Sequence, residues 1–200
     1  FTDRMKEYFI LYNGPECGAS APDHAHFQAC SKEESMQGTY YDSNKIIDND
    51  NVEIYYENFP FSFISIRAKN KNIMSLAFHL IYDILAADSN GKEPMMNILA
   101  WYGLECTKDF FGEHYDDEFE SVAERPYNCV IFLRSKHRPD CYYAKGDEQI
   151  LISPAIAEMN GIFPIVREED MEKLTPEKVY DIYQEAVSYT HLTLPTTERV

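Results

Sequence analysis

Positive charge is scarce in this chain: 18 Lys and Arg residues stand against 34 Asp and Glu, for a formal net charge of −16. A field of that sign repels polyanions, which excludes general binding to nucleic acid or an anionic membrane and confines any phosphate site to a local feature. Cysteine is scarce too. Cys17, Cys30, Cys106, Cys129 and Cys141 are odd in number and widely spaced, with no C-x-x-C pair. That pattern argues against a disulfide framework or a self-contained zinc site and points to a reducing cytoplasm. The sequence has no apolar run of transmembrane length. It begins at Phe1 rather than Met, so a missing N-terminal region is expected.

What is present suits a folded globular chain: 44% of the 200 residues are hydrophobic and 14% aromatic. Residues 7–13 and 24–30 read as neighbouring strands joined by a Gly- and Pro-containing loop, and 59–68 alternates large apolar with small residues. Residues 72–88 repeat apolar side chains at Ile73, Ala77, Leu80, Ile81 and Ile84, a helical stripe with His79 on its side as a structural histidine. Residues 95–103, 127–135, 149–155 and 161–167 read as further strands. Thr175 and Pro176 then open a helix whose inner face carries Val179, Ile182, Tyr183 and Ala186. Strands with packing helices predict an α+β layer architecture. Trp101, Tyr142 and Tyr143 read as sheet-packing aromatics, His114 as an exposed loop residue, and the acidic clusters 116–118 and 168–170 as solvated surface. Residues 188–200 are threonine-rich and aperiodic, and resemble a translated sequencing-library adapter. They are expected to be a non-native tail outside the fold, which removes His191 from consideration.

The stretch GPECGASAPDHAHFQAC, residues 14–30, carries the chemistry. On a strand alternate side chains share a face, so His24, His26 and Gln28 are predicted to project together while Ala25 and Phe27 turn to the core. A neutral imidazole can attack phosphorus to form a phosphoramidate, provided a neighbour fixes its tautomer. Small residues at Gly18 and Ala19 let backbone N–H groups approach phosphate oxygens, and Ser20 adds a hydroxyl. Loop and strand together predict a phosphoryl or nucleotidyl transfer site. Arg134, Lys136, His137 and Arg138 form the one dense basic cluster in the chain, readable either as a solvated strand end or as a phosphate contact.

The H-x-H-x-Q pattern after a Gly-Ala-Ser loop resembles the transferase branch of the histidine-triad superfamily, which holds galactose-1-phosphate uridylyltransferase, diadenosine tetraphosphate phosphorylase and GDP-L-galactose phosphorylase. Across most of residues 7–187 the chain looks most like bacterial DUF4922-type proteins near the phosphorylases. The resemblance implies a histidine-triad-like antiparallel sheet with packing helices. Residues 1–53 would be the end of a first half bearing the motif, 54–187 a degenerate second half, and 188–200 the tail. It implies His26 as covalent nucleophile, His24 as its positioning partner, and Gln28 as the mark of transfer to phosphate or a sugar phosphate rather than to water. Asn13, Gly18, Ser20 and the basic cluster would contact substrate phosphate.

The implied partners are a nucleotide or nucleotide sugar with inorganic phosphate or a sugar phosphate, and neither nucleic acid nor membrane. No cofactor is implied, although His24 would be a zinc ligand if an upstream region supplied cysteines. The implied activity is that of a nucleotidyltransferase or phosphorylase of the full-length parent, with the fragment itself inactive. The rival readings are a nucleotide-binding sensor without turnover and a hydrolase. Nucleobase, acceptor and oligomeric state are not legible at this level.

Overall fold

The chain forms seven strands: β1 (Tyr8–Asn13), β2 (Phe27–Ser31), β3 (Lys45–Asp48), β4 (Val52–Glu57), β5 (Phe63–Ala68), β6 (Met96–Tyr102) and β7 (Tyr127–Leu133). The computed structural model that shows them describes residues 1–19, 24–32, 44–57, 62–87, 89–103 and 124–187. The strands form one antiparallel sheet in the order β2-β1-β6-β7-β5-β4-β3. Two longer helices, α1 (Lys71–Ala87) and α2 (Pro176–Ala186), complete an α+β architecture. Glu53 and Ile54, either side of the division expected at residue 53, are successive residues of β4. The tail 188–200, with His191, lies outside the described residues, as do His114, Cys106 and the acidic cluster 116–118.

The central strands read as continuous apolar runs because both faces of the sheet are covered. One face carries Phe9, Leu99, Trp101, Val130 and Phe132, closed by Ile156 and Met159 and by Tyr183 and Ala186 of α2. The opposite face carries Ile54, Ile64, Ile66, Met96 and Ile131, closed by Ala77 and Ile81 of α1. Each such side chain, fully buried, contributes about 1.5–3 kcal/mol before conformational entropy is set against it.

α2 meets its expectation: Thr175 Oγ1 accepts the Lys178 N–H, and Ile182, Tyr183 and Ala186 are buried. α1 forms where expected, with Asn70 Oδ1 accepting from the Asn72 and Ile73 N–H groups. Its stripe, however, is rotated. Met74, Phe78, Tyr82 and Leu85 pack toward the sheet beside Ala77 and Ile81, while Leu80 is 53% exposed. The bulkier thioether and aromatic side chains fill the sheet surface better than the predicted set. His79 consequently faces outward, its Nδ1 2.6 Å from the Ser75 carbonyl of its own helix.

Two expected strands are irregular. Across 149–155 the backbone is satisfied locally: Ile150 N–H donates to Cys141 O, Ile152 N–H to Ile150 O, and Leu151 N–H to Asp170 Oδ2. Ile150 and Ile152 still reach the interior, against Cys141 and Ile182. Residues 161–167 are broken by Gly161 at φ +83° and by Pro164, which has no N–H to give a ladder. Conversely, β3 and β4 were not anticipated. Their turn is built by Asn49, whose Oδ1 accepts from Asn51 and Val52 N–H.

Asp170 is not solvated surface but 2% exposed. Its carboxylate accepts from Arg167 Nη2 at 2.7 Å and Nε at 2.8 Å as well as from the Leu151 N–H, so it stands in for a strand partner. The Arg167 hydrogen bonds hold its pKa below the usual carboxylate range. A carboxylate depressed on folding adds stability above its unfolded pKa of about 3.9 and loses it as pH falls through the folded value. Asp170→Asn is therefore expected to lower the urea midpoint at pH 7. The gap from the unaltered chain should narrow at pH 3, and a gap independent of pH would contradict this role.

Candidate functional site

β1 and β2 run antiparallel, with Leu11 opposite Gln28 and Tyr12 opposite Phe27. Among the described residues β2 is an outer strand paired only with β1. The ladder begins at Phe27, so Gln28 lies within it and His24 and His26 lie in the segment leading into it. Their rings are side by side, 5.4 Å between centroids and inclined at 42°. His26 Nδ1 is 3.3 Å from the His24 backbone oxygen. A carbonyl can only accept, so this contact is a hydrogen bond in the tautomer with the proton on Nδ1, which leaves the lone pair on Nε2. The inward turn predicted for Ala25 and Phe27 is corrected. Ala25 is exposed and Phe27 is 68% exposed, leaning on Tyr12, because no element covers that side of an outer strand among the described residues.

Asn13, Gly18 and Arg134 do come together, though around each other. The five N–H donors of the buried Arg134 guanidinium all have acceptors. Nε donates to Ala186 O, Nη1 to Asn97 Oδ1 and Pro154 O, and Nη2 to the carbonyls of Lys136 and His137. Asn97 Nδ2 in turn donates to Asn13 Oδ1 at 2.7 Å and to Cys17 O at 2.8 Å, and Asn13 Oδ1 also accepts the Ile156 N–H. The network joins β1, β6, the end of β7, the loop after β1 and the segment 154–156. Arg134 therefore has no donor left for a phosphate. The Asn13 side-chain N–H₂ donates to no described residue and is the part of that side chain able to meet one.

The glycines of the loop are required by packing. Gly18 lies at φ +80°, and a Cβ there would fall 2.4 Å from Pro154 O and 2.7 Å from the Ala155 Cβ. A Cβ at Gly14 would fall 2.7 Å from Met96 O, the acceptor of the Gly14 N–H. The close approach expected toward phosphate is, at Gly18, an approach to the chain itself. Ser20 lies outside the described residues. Cys17 is buried and its thiol is pushed up to about 11 by desolvation, so it is no nucleophile at neutral pH.

The remaining basic cluster is partly engaged. Lys136 Nζ bridges Asp140 and Glu185, and those contacts hold its pKa above the ordinary lysine value. Arg138 Nε donates to Ser153 Oγ, and its guanidinium lies 4.3 Å from the Tyr142 ring centre. His137 Nδ1 is buried and without a partner among the described residues. Tyr143 is exposed, whereas Trp101 is in the core as expected. The four described cysteines are free thiols, and among the described residues no three His, Cys, Asp or Glu side chains are placed to hold a metal. No helix among them is long and apolar enough to cross a membrane.

Sequence reading missed Asn97, the hub between Asn13 and Arg134. The signal was a lone carboxamide in the apolar run MMNILAW, where a buried polar group needs partners. Compared with known proteins, residues 1–31 match the family described as Domain of unknown function (DUF4922), a span that includes β1, the loop and the H-x-H-x-Q motif. No curated protein and no solved structure matches the chain.

Removing the hub's donors is expected to be costly. Arg134→Met would orphan Asn97 Oδ1 and the Pro154 carbonyl, at about 1–3 kcal/mol for each buried acceptor, whereas the Ala186 carbonyl keeps the Ser135 N–H. Urea unfolding should show a loss of at least ~2 kcal/mol, and Arg134→Lys, with three donors instead of five, should recover only part of it. Unchanged stability in both variants would return Arg134 to the list of substrate contacts.

Proposed function

We propose that this chain carries the nucleotidyl-histidine site of a nucleotidyltransferase or phosphorylase acting on a nucleoside diphosphate sugar or dinucleoside polyphosphate. One observation carries the reading: His26 Nδ1 faces the His24 carbonyl, so the tautomer that makes this hydrogen bond presents its lone pair on Nε2. That is the protonation state a histidine nucleophile needs before it meets phosphorus. Its half-buried place just before an outer strand, and the match of residues 1–31 to a family model, agree with a site there.

In the proposed first step His26 Nε2 attacks the α-phosphorus. The N–P bond forms as the bond to the bridging oxygen breaks, and the sugar phosphate of a nucleoside diphosphate sugar, or the remaining nucleoside polyphosphate of a dinucleoside polyphosphate, leaves with the electron pair. In the second step an oxygen of inorganic phosphate or of a sugar phosphate attacks the same phosphorus, and the N–P electrons return to Nε2. The positive charge on the imidazole is highest while phosphorus is attached, and the His24 carbonyl facing Nδ1–H is placed to stabilise it. The Gln28 amide, two residues on, is neutral and can donate to a non-bridging oxygen; a histidine at that position could also serve as a base toward water. By the resemblance to the histidine-triad transferases, that difference favours transfer over hydrolysis.

Incubation with α-labelled nucleoside diphosphate sugars and dinucleoside polyphosphates tests the reading. The unaltered full-length protein should yield an acid-labile, base-stable adduct that inorganic phosphate discharges. His26→Ala should yield none, and an adduct persisting in that variant would overturn the assignment. Gln28→His should raise the ratio of hydrolysis to phosphorolysis, and an unchanged ratio would remove Gln28 from the mechanism. Nucleotide binding with no adduct in the unaltered protein would favour the sensor.

A further inference from the structure

On the sheet face that α1 covers, a groove of about 680 Å³ opens between α1 and strands β1 and β6. Its volume falls within the range of sites for small ligands. Two pairs of rings wall it. Tyr12 and Phe27 stand on the sheet with their centres 5.6 Å apart, and Phe78 and Tyr82, one turn apart on α1, stand 6.3 Å from each other. Phe27 is open to solvent and the other three rings are half-buried, so ring surface is left for an occupant. Among the described residues of the wall the one carboxylate is Glu93. Its Oε1 accepts the Tyr12 hydroxyl at 2.6 Å, while Oε2 accepts from no described residue. Burial and the hydrogen bond to Glu93 raise the Tyr12 pKa, so the hydroxyl stays a donor and the carboxylate stays anchored. Lys71, on the first turn of α1, is the one lysine or arginine among those wall residues, and its charge is set against Asp3.

We infer that this groove is a separate site for a primary amine with an apolar body, its ammonium on Glu93 and its body between the two ring pairs. The inference is independent of the transfer reading. None of Asn13, His24, His26 or Gln28 lines the groove, and strand alternation turns Phe27 to the α1 face and Gln28 to the opposite one. Charge selects the occupant. Glu93 brings a half-buried negative charge with an acceptor to spare, and a purely apolar molecule seated over it would strip its water without supplying a donor. An anion would meet Glu93 inside a chain of net charge −16. An ammonium brings donors for Oε2, and its positive charge is attracted by the faces of the surrounding rings. A quaternary ammonium would meet the rings but leave Oε2 without a donor.

Calorimetric titration of the full chain with phenethylamine, its N-trimethyl derivative, phenethyl alcohol and phenylacetate tests the site, since the four share one body and differ at the head. Phenethylamine should bind tightest. The alcohol should bind at least about tenfold more weakly, the equivalent of one hydrogen bond to a charged group. The trimethyl derivative should fall between them, and phenylacetate should give no heat. Glu93→Gln, with its thermal midpoint unchanged, should bring the amine down to the affinity of the alcohol. Equal affinity for amine and alcohol, binding of the trimethyl derivative as tight as that of the amine, a preference for phenylacetate, or no heat from the amine at millimolar concentration would overturn the inference without needing a variant to fold. So would an amine preference that survives in Glu93→Gln.

Discussion

A planar cation with five donors, buried where only carbonyl oxygens can meet it, is the constraint on which this structure turns. Arg134 stands just past β7, and each of its N–H groups must find an acceptor, because an uncompensated buried charge costs several kcal/mol. The acceptors come from Asn97 on β6, from Pro154 and Ala186 in the C-terminal segment, and from the turn at Lys136 and His137. Meeting them all fixes how residues 154–187 lie across the sheet. It also fixes Asn13 through Asn97, and thereby the start of the loop that leads to the two histidines. Burial pulls the arginine pKa down from its ordinary value, but a guanidinium begins so high that it stays charged.

The same geometry accounts for the division between a covered interior and an open margin. β6, β7 and β5 are covered on both faces and hold the largest apolar side chains. β2 has a neighbour on one side only among the described residues, and its side chains are mostly exposed. Side chains at such a margin can meet a solute without the interior being opened. The backbone contact within His24-Ala25-His26 orients the ring locally, while β1, held by Asn13 and by the Gly14–Met96 hydrogen bond, supports the strand from behind. Precise placement on a supported strand end is what a proposed in-line attack on phosphorus requires.

An acidic protein proposed to act on a phosphate compound must also arrange its few cations with care. At −16 overall, the long-range field opposes anionic ligands, and the cations of the RSKHRP cluster are largely turned to internal partners. Neutral donors therefore gain importance near the histidines. The amide of Gln28 and the N–H₂ of Asn13, which donates to no described residue, are of that kind.

Residue order by itself determined much of this protein. Short apolar runs located β1, β5, β6 and β7, the Thr175-Pro176 pair located the start of α2, and the H-x-H-x-Q pattern after small residues nominated the candidate site. These are short-range features, written by the two-residue period of a strand, the capping of a helix and the fixed φ of proline. The tertiary structure alone decided what Asn13, Gly18 and Arg134 are for. A glycine before a histidine motif and an arginine in a basic run look like phosphate contacts until Pro154 and Ala186, 20 and 52 residues from Arg134, are brought against them. It likewise decided that 149–155 is no strand, since Asp170 supplies the acceptor a neighbouring strand would have given. It decided, too, that Asp170, in an acidic run, is buried. Periodicity is a property of neighbours along the chain, whereas satisfaction of a buried donor depends on groups distant in sequence that only the folded chain brings together.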